Sequence, residues 1–134
     1  MKIFHACDIR GIAGTELTND IARQIGLAIG VKLTGQKVVV GGDVRLSTPG
    51  LKKIMIQALV ESGCEVIDIG TVATPVFYYA LKVTGGTGGV MVTASHNPAP
   101  YNGFKLVFGP DPVTENDILE IKKLVDERSE EHTS

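Results

Sequence analysis

The chain has only two cysteines, no tryptophan and few aromatic residues. Its 134 residues include only Cys7 and Cys64, without a CxxC or Cys/His spacing, which argues against a structural zinc site. We expect both thiols to be free and buried. The formal net charge of −2 argues against a nucleic-acid binder that relies on bulk positive charge, so we expect no nucleic-acid partner.

Long apolar runs are also missing. No run reaches the length that a bilayer requires, and Asp8 and Arg10 interrupt residues 1–11 where a signal peptide would be apolar. We therefore expect a cytoplasmic protein without a membrane partner. Hydrophobic residues make up 43% of the chain and charged residues 21%, and this balance is typical of one globular domain with an apolar core.

Apolar periodicity predicts strands that alternate with helices. Helical spacing occurs in four segments, residues 18–34, 48–63, 74–83 and 114–127. The second and third begin with Thr-Pro, since proline suits the first helical turn, and the fourth begins with a capping box formed by Thr114 and Asp117. Strands are predicted at residues 37–41, 65–69, 89–93 and 104–108, the last antiparallel to its predecessor.

This alternation predicts an α/β fold, namely a three-layer α/β/α sandwich with a mixed, mostly parallel sheet. The expected domain covers residues 1–127, and we expect residues 128–134 to be a non-native or disordered tail because they leave the helical pattern. Ligands of such sheets bind at the carboxyl ends of the strands. Three loops should therefore meet there: residues 42–46, 71–74 and 93–102.

The loop after the third predicted strand holds Ser95, His96 and Asn97. A serine that accepts and returns a phosphoryl group must be exposed and near cations, because the phosphorylated form carries about −1.5 to −2 charges. Arg10 and Lys105 are the candidate cations. A lone loop serine is more often a turn residue, but these neighbours favour a phosphoryl carrier. Without a GxSxG elbow, His96 is predicted to orient the loop or contact phosphate.

Three other features have less specific interpretations. Arg10 either binds phosphate or pairs with Asp8, and the sequence leaves both possibilities open. Asp43 and Arg45 are predicted to brace the loops rather than to catalyse. The glycine-rich residues 85–89 match neither a dinucleotide fingerprint nor a P-loop, so they predict a flexible turn and argue against a nucleotide-binding domain.

Together, five segments resemble the α-D-phosphohexomutase superfamily, in its phosphomannomutase/phosphoglucomutase branch. They are Asp-Ile-Arg-Gly at residues 8–11, Gly-x-Asp-x-Arg-x-Ser at 41–47, Ala-Thr-Pro at 73–75, Thr-Ala-Ser-His-Asn-Pro at 93–98 and Asn-Gly-Phe-Lys at 102–105. They follow the family's order, and the resemblance covers residues 3 to about 127. The fourth segment is highly specific, and the others support it.

The resemblance implies that Ser95 is a phosphoserine of an intramolecular phosphotransferase. Such a serine phosphorylates a hexose monophosphate to a bound hexose 1,6-bisphosphate and takes back the other phosphoryl group, so mannose or glucose 1-phosphate and 6-phosphate interconvert. Magnesium would bind the Ser95 phosphate and aspartates of a second domain. The implied catalytic residues are Ser95, Lys105, Arg10 and His96, supported by Asn97, Asp43, Arg45 and Asn102.

The resemblance covers only the first of the family's four domains. The implied partners are a phosphosugar and the missing domains II–IV, and we expect no mutase activity from this chain alone. The alternative is a non-catalytic phosphosugar-binding module. Two residues depart from the family pattern: Cys7 replaces a usual aromatic residue, and Gly42 replaces a common arginine. The second change is expected to loosen the loop around Asp43.

Overall fold

The computed structural model describes residues 2–109 and 111–133, and it describes side chains as far as residue 128. Six strands and four helices follow one another along the chain: β1 (Ile9–Ile12), α1 (Asn19–Lys32), β2 (Lys37–Gly42), α2 (Thr48–Glu61), β3 (Glu65–Thr71), α3 (Thr74–Thr84), β4 (Gly88–Val92), β5 (Tyr101–Phe108), β6 (Asp111–Pro112) and α4 (Glu115–Thr133). None of the described helices is both long and apolar enough to span a membrane.

The six strands form one sheet in the order β1-β5-β4-β2-β3, with β6 paired to β5. β2 is parallel to β3 and to β4. β5 is antiparallel to β1, β4 and β6, so the other five strands all run in one direction. The prediction of a mixed, mostly parallel sheet is therefore confirmed.

The helices cover the two faces of the sheet unequally. α1, α2 and α4 pack on one face and share the larger apolar core, which includes Ile25, Met55 and Ile121 together with sheet residues such as Val40 and Phe104. On the opposite face, α3 forms a smaller core with β2, β4 and β5 through Phe77, Ala80, Val39, Met91 and Val107. This arrangement confirms the three-layer sandwich and leaves β1 and part of β5 outside the cover of α3.

Two of the predicted helix starts, those of α1 and α4, are confirmed by side-chain caps. The Thr18 hydroxyl accepts a hydrogen bond from the Ile21 N–H at the start of α1. Before α4, the Asp117 carboxylate accepts from the Thr114 N–H at 2.9 Å, and the Thr114 hydroxyl accepts from the Asp117 N–H at 3.2 Å. This reciprocal pair is the predicted capping box, and it satisfies backbone donors that a helix start leaves unpaired.

The end of α4 differs from the prediction. The helix continues to Thr133 instead of ending near residue 127. The extension contains neither glycine nor proline, the two residues that most strongly oppose a helix. Ser134 lies outside the described residues, and the non-native origin of residues 128–134 stays a prediction.

Three local predictions need correction. β1 was missed because its four residues include an arginine and a glycine, which obscure the apolar alternation. Within the glycine cluster, Gly85 does cap α3 in the left-handed conformation and Gly89 lies in the predicted strand, but Gly88 is also a buried residue of β4 and not part of a turn. Cys64 is buried as expected, whereas Cys7 is exposed because it lies in the bend before β1.

Candidate active site

Ser95 has an unusual backbone conformation at the carboxyl end of β4. Its φ of 56° is the only positive φ among the described non-glycine residues. Such a conformation costs about 1–3 kcal/mol, and it persists where the surrounding structure holds it, often at functional sites. The side chain is exposed. Ser95 therefore meets the first requirement for a phosphoryl carrier, an accessible hydroxyl on a fixed backbone.

Arg45 holds the Ser95 loop in place from the neighbouring strand end. Its guanidinium donates hydrogen bonds of 2.8–3.1 Å to four carbonyl oxygens of that loop, those of Ser95, Asn97, Pro98 and Tyr101. Its Nε also pairs with the Asp43 carboxylate at 3.3 Å. One side chain thus satisfies several carbonyl acceptors, as a planar guanidinium with five donors allows. The predicted brace between these loops is confirmed.

Asp43 in turn fixes Arg45. One carboxylate oxygen accepts hydrogen bonds from the Thr48 hydroxyl at 2.7 Å and from the Arg45 N–H at 3.0 Å. Burial opposes ionisation of this carboxyl, but hydrogen bonds from Thr48, Arg45 and Thr93 and the charge of Arg45 outweigh it, so the pKa of Asp43 is lowered. Asp43 is therefore ionised at neutral pH and committed to the loop scaffold.

The lowered pKa of Asp43 predicts a pH-dependent contribution to stability. The contribution is complete above the unfolded pKa of an aspartate, about 3.9, and is lost as the pH falls through the lower folded pKa. We expect Asp43→Asn to lower the free energy of unfolding by about 1–3 kcal/mol at neutral pH, because charged hydrogen bonds are lost. Urea denaturation of both forms from neutral to acidic pH measures this. A difference that stays constant into acid would contradict the assignment.

Gly42 lies close to the start of α2, and its expected loosening of the loop around Asp43 stays a prediction. A Cβ on Gly42 would lie 2.5 Å from the Cγ2 atom of Thr48. The hydroxyl of the same threonine donates to Asp43. The Asp43 N–H also donates to the Val92 carbonyl at 3.0 Å. A larger residue at position 42 would therefore require Thr48 to move, so glycine here permits close packing between β2 and α2.

Arg10 and Lys105 lie on the same face of the sheet. Arg10 on β1 is paired with Gly103 on β5, and Lys105 follows two residues later, so the alternation of strand side chains places both on the face of α3. Gly103 makes this arrangement possible. A Cβ at that position would overlap the Ile9 carbonyl oxygen and lie 2.7 Å from Arg10 Cβ.

Two adjoining cavities meet at Ser95. The larger, about 1190 Å³, is lined by Ser95, Arg10 and Lys105 and bounded by α3. The smaller, about 660 Å³, is lined by Ser95, Lys105 and His96 together with the loops that follow β2 and β3. The three loops predicted to meet at this sheet edge do meet there. Ser95 and Lys105 line both cavities and form the centre of the site.

The two interpretations of Arg10 turn out to be compatible. Its Nε pairs with the Asp8 carboxylate at 3.1 Å, while the arginine still lines the larger cavity and keeps about a third of its side chain exposed. Because a guanidinium has five N–H donors, the pairing leaves donors for a phosphate. His96 is exposed at the rim of the smaller cavity.

Asn97 and Asn102 have structural roles in the site. The Asn97 side-chain amide donates to the Ala94 carbonyl at 2.8 Å and closes the turn of the serine loop. Asn102 is fully buried, and its amide donates to the hydroxyls of Ser47 and Thr48 at 2.8 and 3.0 Å. Asn102 therefore ties the start of β5 to the start of α2.

The described residues contain no group of three or more histidine, cysteine, aspartate or glutamate side chains that could hold a metal ion. Asp43 and Asp8 line the cavities at Ser95, and each is paired with an arginine. These donors do not fit a Mg²⁺ site by themselves. A metal at Ser95 would need ligands that this part of the chain does not offer.

Comparisons with known proteins agree with this fold. Residues 1–132 match the family model for phosphoglucomutase/phosphomannomutase, alpha/beta/alpha domain I. A phosphomannomutase/phosphoglucomutase of Pseudomonas aeruginosa PAO1 is 46% identical over 128 residues, covering 93% of this chain and 28% of that protein. A phosphoglucomutase of Neisseria gonorrhoeae is 42% identical over 127 residues, covering 92% of this chain and 28% of that protein.

A solved structure of a phosphoglucomutase/phosphomannomutase family protein from Burkholderia thailandensis superposes with a TM-score of 0.84 at 41% identity. The match covers 94% of this chain and 30% of that one. The α/β sandwich with its strand-end serine loop is thus a domain of the phosphohexomutase class. The chain belongs to the phosphoglucomutase/phosphomannomutase family, as its domain I. It spans just over a quarter of the length of these relatives.

Proposed function

We propose that this chain is the phosphoserine domain of a hexose-phosphate mutase that interconverts the 1-phosphate and 6-phosphate of mannose or glucose. The observation that carries the proposal is Ser95 itself. Its hydroxyl is exposed on a left-handed backbone and lines a cavity with Arg10 and Lys105. Membership of the family, whose relatives are named phosphomannomutase and phosphoglucomutase, supports this chemistry.

In the proposed reaction the phosphoryl group moves between two oxygens. The bond from phosphorus to Ser95 Oγ breaks, and a bond to a sugar hydroxyl oxygen forms. The sugar hydroxyl loses its proton, and Ser95 Oγ gains one as it leaves. The resulting hexose 1,6-bisphosphate then returns its other phosphoryl group to Ser95 by the same exchange in reverse. Ser95 is therefore phosphorylated again at the end of each turnover.

The cations of the site suit this transfer. The role of the Arg10 guanidinium is to hold charge that develops on the phosphoryl oxygens. Lys105 carries donors that reach either cavity, and it is placed to stabilise the same charge and to assist proton transfer at Ser95 Oγ. His96, at the rim of the smaller cavity, is proposed to contact the sugar or its phosphate.

Magnesium would neutralise the phosphate on Ser95, and its remaining ligands would have to come from outside the described residues. The proposed partners are a phosphosugar and the further domains by which the relatives exceed this chain in length. The free cysteines fit a reducing compartment, so the proposal includes a cytoplasmic location.

A non-catalytic phosphosugar-binding module is the second candidate function. The observation that favours it is the shortage of metal-binding carboxylates in the described part of the chain. It predicts binding of a sugar phosphate without phosphorylation of Ser95. The two candidates therefore differ in whether phosphate becomes covalently bound.

The mutase proposal is tested in a chimera in which this chain replaces the aligned region of the P. aeruginosa relative. We expect the chimera to convert glucose 1-phosphate to glucose 6-phosphate in a coupled assay with Mg²⁺ and glucose 1,6-bisphosphate. The isolated chain is expected to show no turnover, because the metal ligands are lacking. Circular dichroism and size-exclusion chromatography establish that the chimera is folded. A folded but inactive chimera would contradict the proposal, and turnover by the isolated chain would contradict the need for further domains.

A further inference from the structure

The left-handed backbone of Ser95 must be held by contacts on both sides of the residue. On one side, the Arg45 guanidinium donates to the Ser95 carbonyl at 3.1 Å. On the other, the Ser95 N–H donates to the hydroxyl of Thr93 at 3.0 Å. The first contact belongs to the brace already described. The second places the Thr93 hydroxyl next to the backbone of the proposed phosphoryl carrier.

Thr93 is itself firmly held at the end of β4. It is only 5% exposed, and its N–H donates to the Gly103 carbonyl on β5 at 2.9 Å. Thr93 lines the smaller cavity together with Asp43 and Ser95, and it is among the groups that lower the pKa of the Asp43 carboxyl.

We propose that Thr93 is a positioning residue, whose hydroxyl accepts a hydrogen bond from the Ser95 N–H and so keeps Ser95 in the backbone conformation from which its Oγ enters the cavities. The effect on catalysis rests on the proposed function, whereas the effect on the backbone of Ser95 does not. The threonine methyl group has no part in this hydrogen bond.

The structural half of the proposal is tested in the isolated chain by amide hydrogen exchange at Ser95. Thr93→Val keeps the shape and removes the hydroxyl, while Thr93→Ser keeps the hydroxyl and removes the methyl group. We expect Thr93→Val to speed exchange of the Ser95 amide about tenfold or more, because local opening no longer breaks a hydrogen bond. Thr93→Ser is expected to stay within about twofold of the original.

The amides of the central strand β2 serve as the reference in that experiment. Their exchange reports global unfolding and is expected to be unchanged in both variants. If Thr93→Val does not fold, Thr93→Ala makes the same comparison without the added bulk at Cγ. Equal Ser95 exchange in the hydroxyl-free variant and in Thr93→Ser would overturn the role of the hydroxyl in holding Ser95.

The catalytic half is tested with the same variants in the active chimera. We expect Thr93→Val to lower kcat about tenfold or more with KM within about twofold, because a misplaced nucleophile affects the chemical step more than binding. Thr93→Ser is expected to restore most of kcat. Faster Ser95 exchange without a fall in kcat would overturn the positioning role. An inactive unmutated chimera would instead overturn the proposed function, and the exchange experiment would still decide whether the hydroxyl holds Ser95.

Discussion

Ser95→Ala in the chimera is expected to abolish turnover, with a fall in kcat of at least about a thousandfold. The physical reason is that alanine leaves no oxygen to form the covalent bond with phosphorus, so both halves of the proposed exchange stop. The Arg45 hydrogen bond to residue 95 uses the backbone carbonyl, and the Thr93 hydrogen bond uses the backbone N–H. The loop scaffold therefore retains its contacts in the variant.

The matched control is Ser62→Ala. Ser62 lies at the end of α2, and its hydroxyl donates to the Ala58 carbonyl within the same helix. We expect this variant to keep turnover within about twofold. Substrate binding by Ser95→Ala, measured by calorimetry with glucose 1-phosphate, should persist because the cations remain. Substantial turnover by Ser95→Ala would rule out the serine as the carrier.

Gly103→Ala is expected to be the most destabilising single methyl addition in the site. The new Cβ would overlap the Ile9 carbonyl oxygen and press on the backbone of Arg10. Because these are backbone atoms of a paired strand, no change of side-chain rotamer can relieve the overlap. We expect the free energy of unfolding to fall by about 3 kcal/mol or more. This loss lies at the upper end of the range that overpacking substitutions cause. Urea denaturation of the isolated chain measures this loss.

Gly50→Ala provides the comparison. Gly50 lies in the first turn of α2, and a Cβ there meets nothing within 4 Å. Alanine in a helix is favoured over glycine, so we expect this variant to be more stable by about 0.5–1 kcal/mol. If both variants changed stability by similar amounts, the close approach of β1 to β5 would not be the reason for glycine at position 103.

Much of the fold follows from local signals in the sequence. Thr18, Thr114 and the two Thr-Pro pairs mark helix starts, and all four helices begin where these signals predict. The apolar run before Ser95 predicts a buried strand that ends at the serine loop, and β4 does so. These signals are reliable because caps and buried strands depend mainly on residues that are adjacent in the chain.

The features that sequence reasoning missed depend on contacts between distant segments. β1 has little strand character of its own and forms because β5 offers an edge to pair with. Gly103 looked like an ordinary member of a motif, but its lack of a side chain is what lets Arg10 approach. Thr93 was visible only as part of the serine motif. Its spacing of two residues before Ser95, typical of a Ser/Thr turn, was the available signal.

The most direct test of the central claim is to locate phosphate on the chimera after incubation with glucose 1,6-bisphosphate and Mg²⁺. Intact-mass measurement followed by peptide mapping is expected to find one phosphoryl group, on Ser95, which disappears from the Ser95→Ala variant and remains in Ser62→Ala. A folded chimera that turns over sugar phosphate with Ser95 never phosphorylated, or with the phosphate on another residue, would contradict the account.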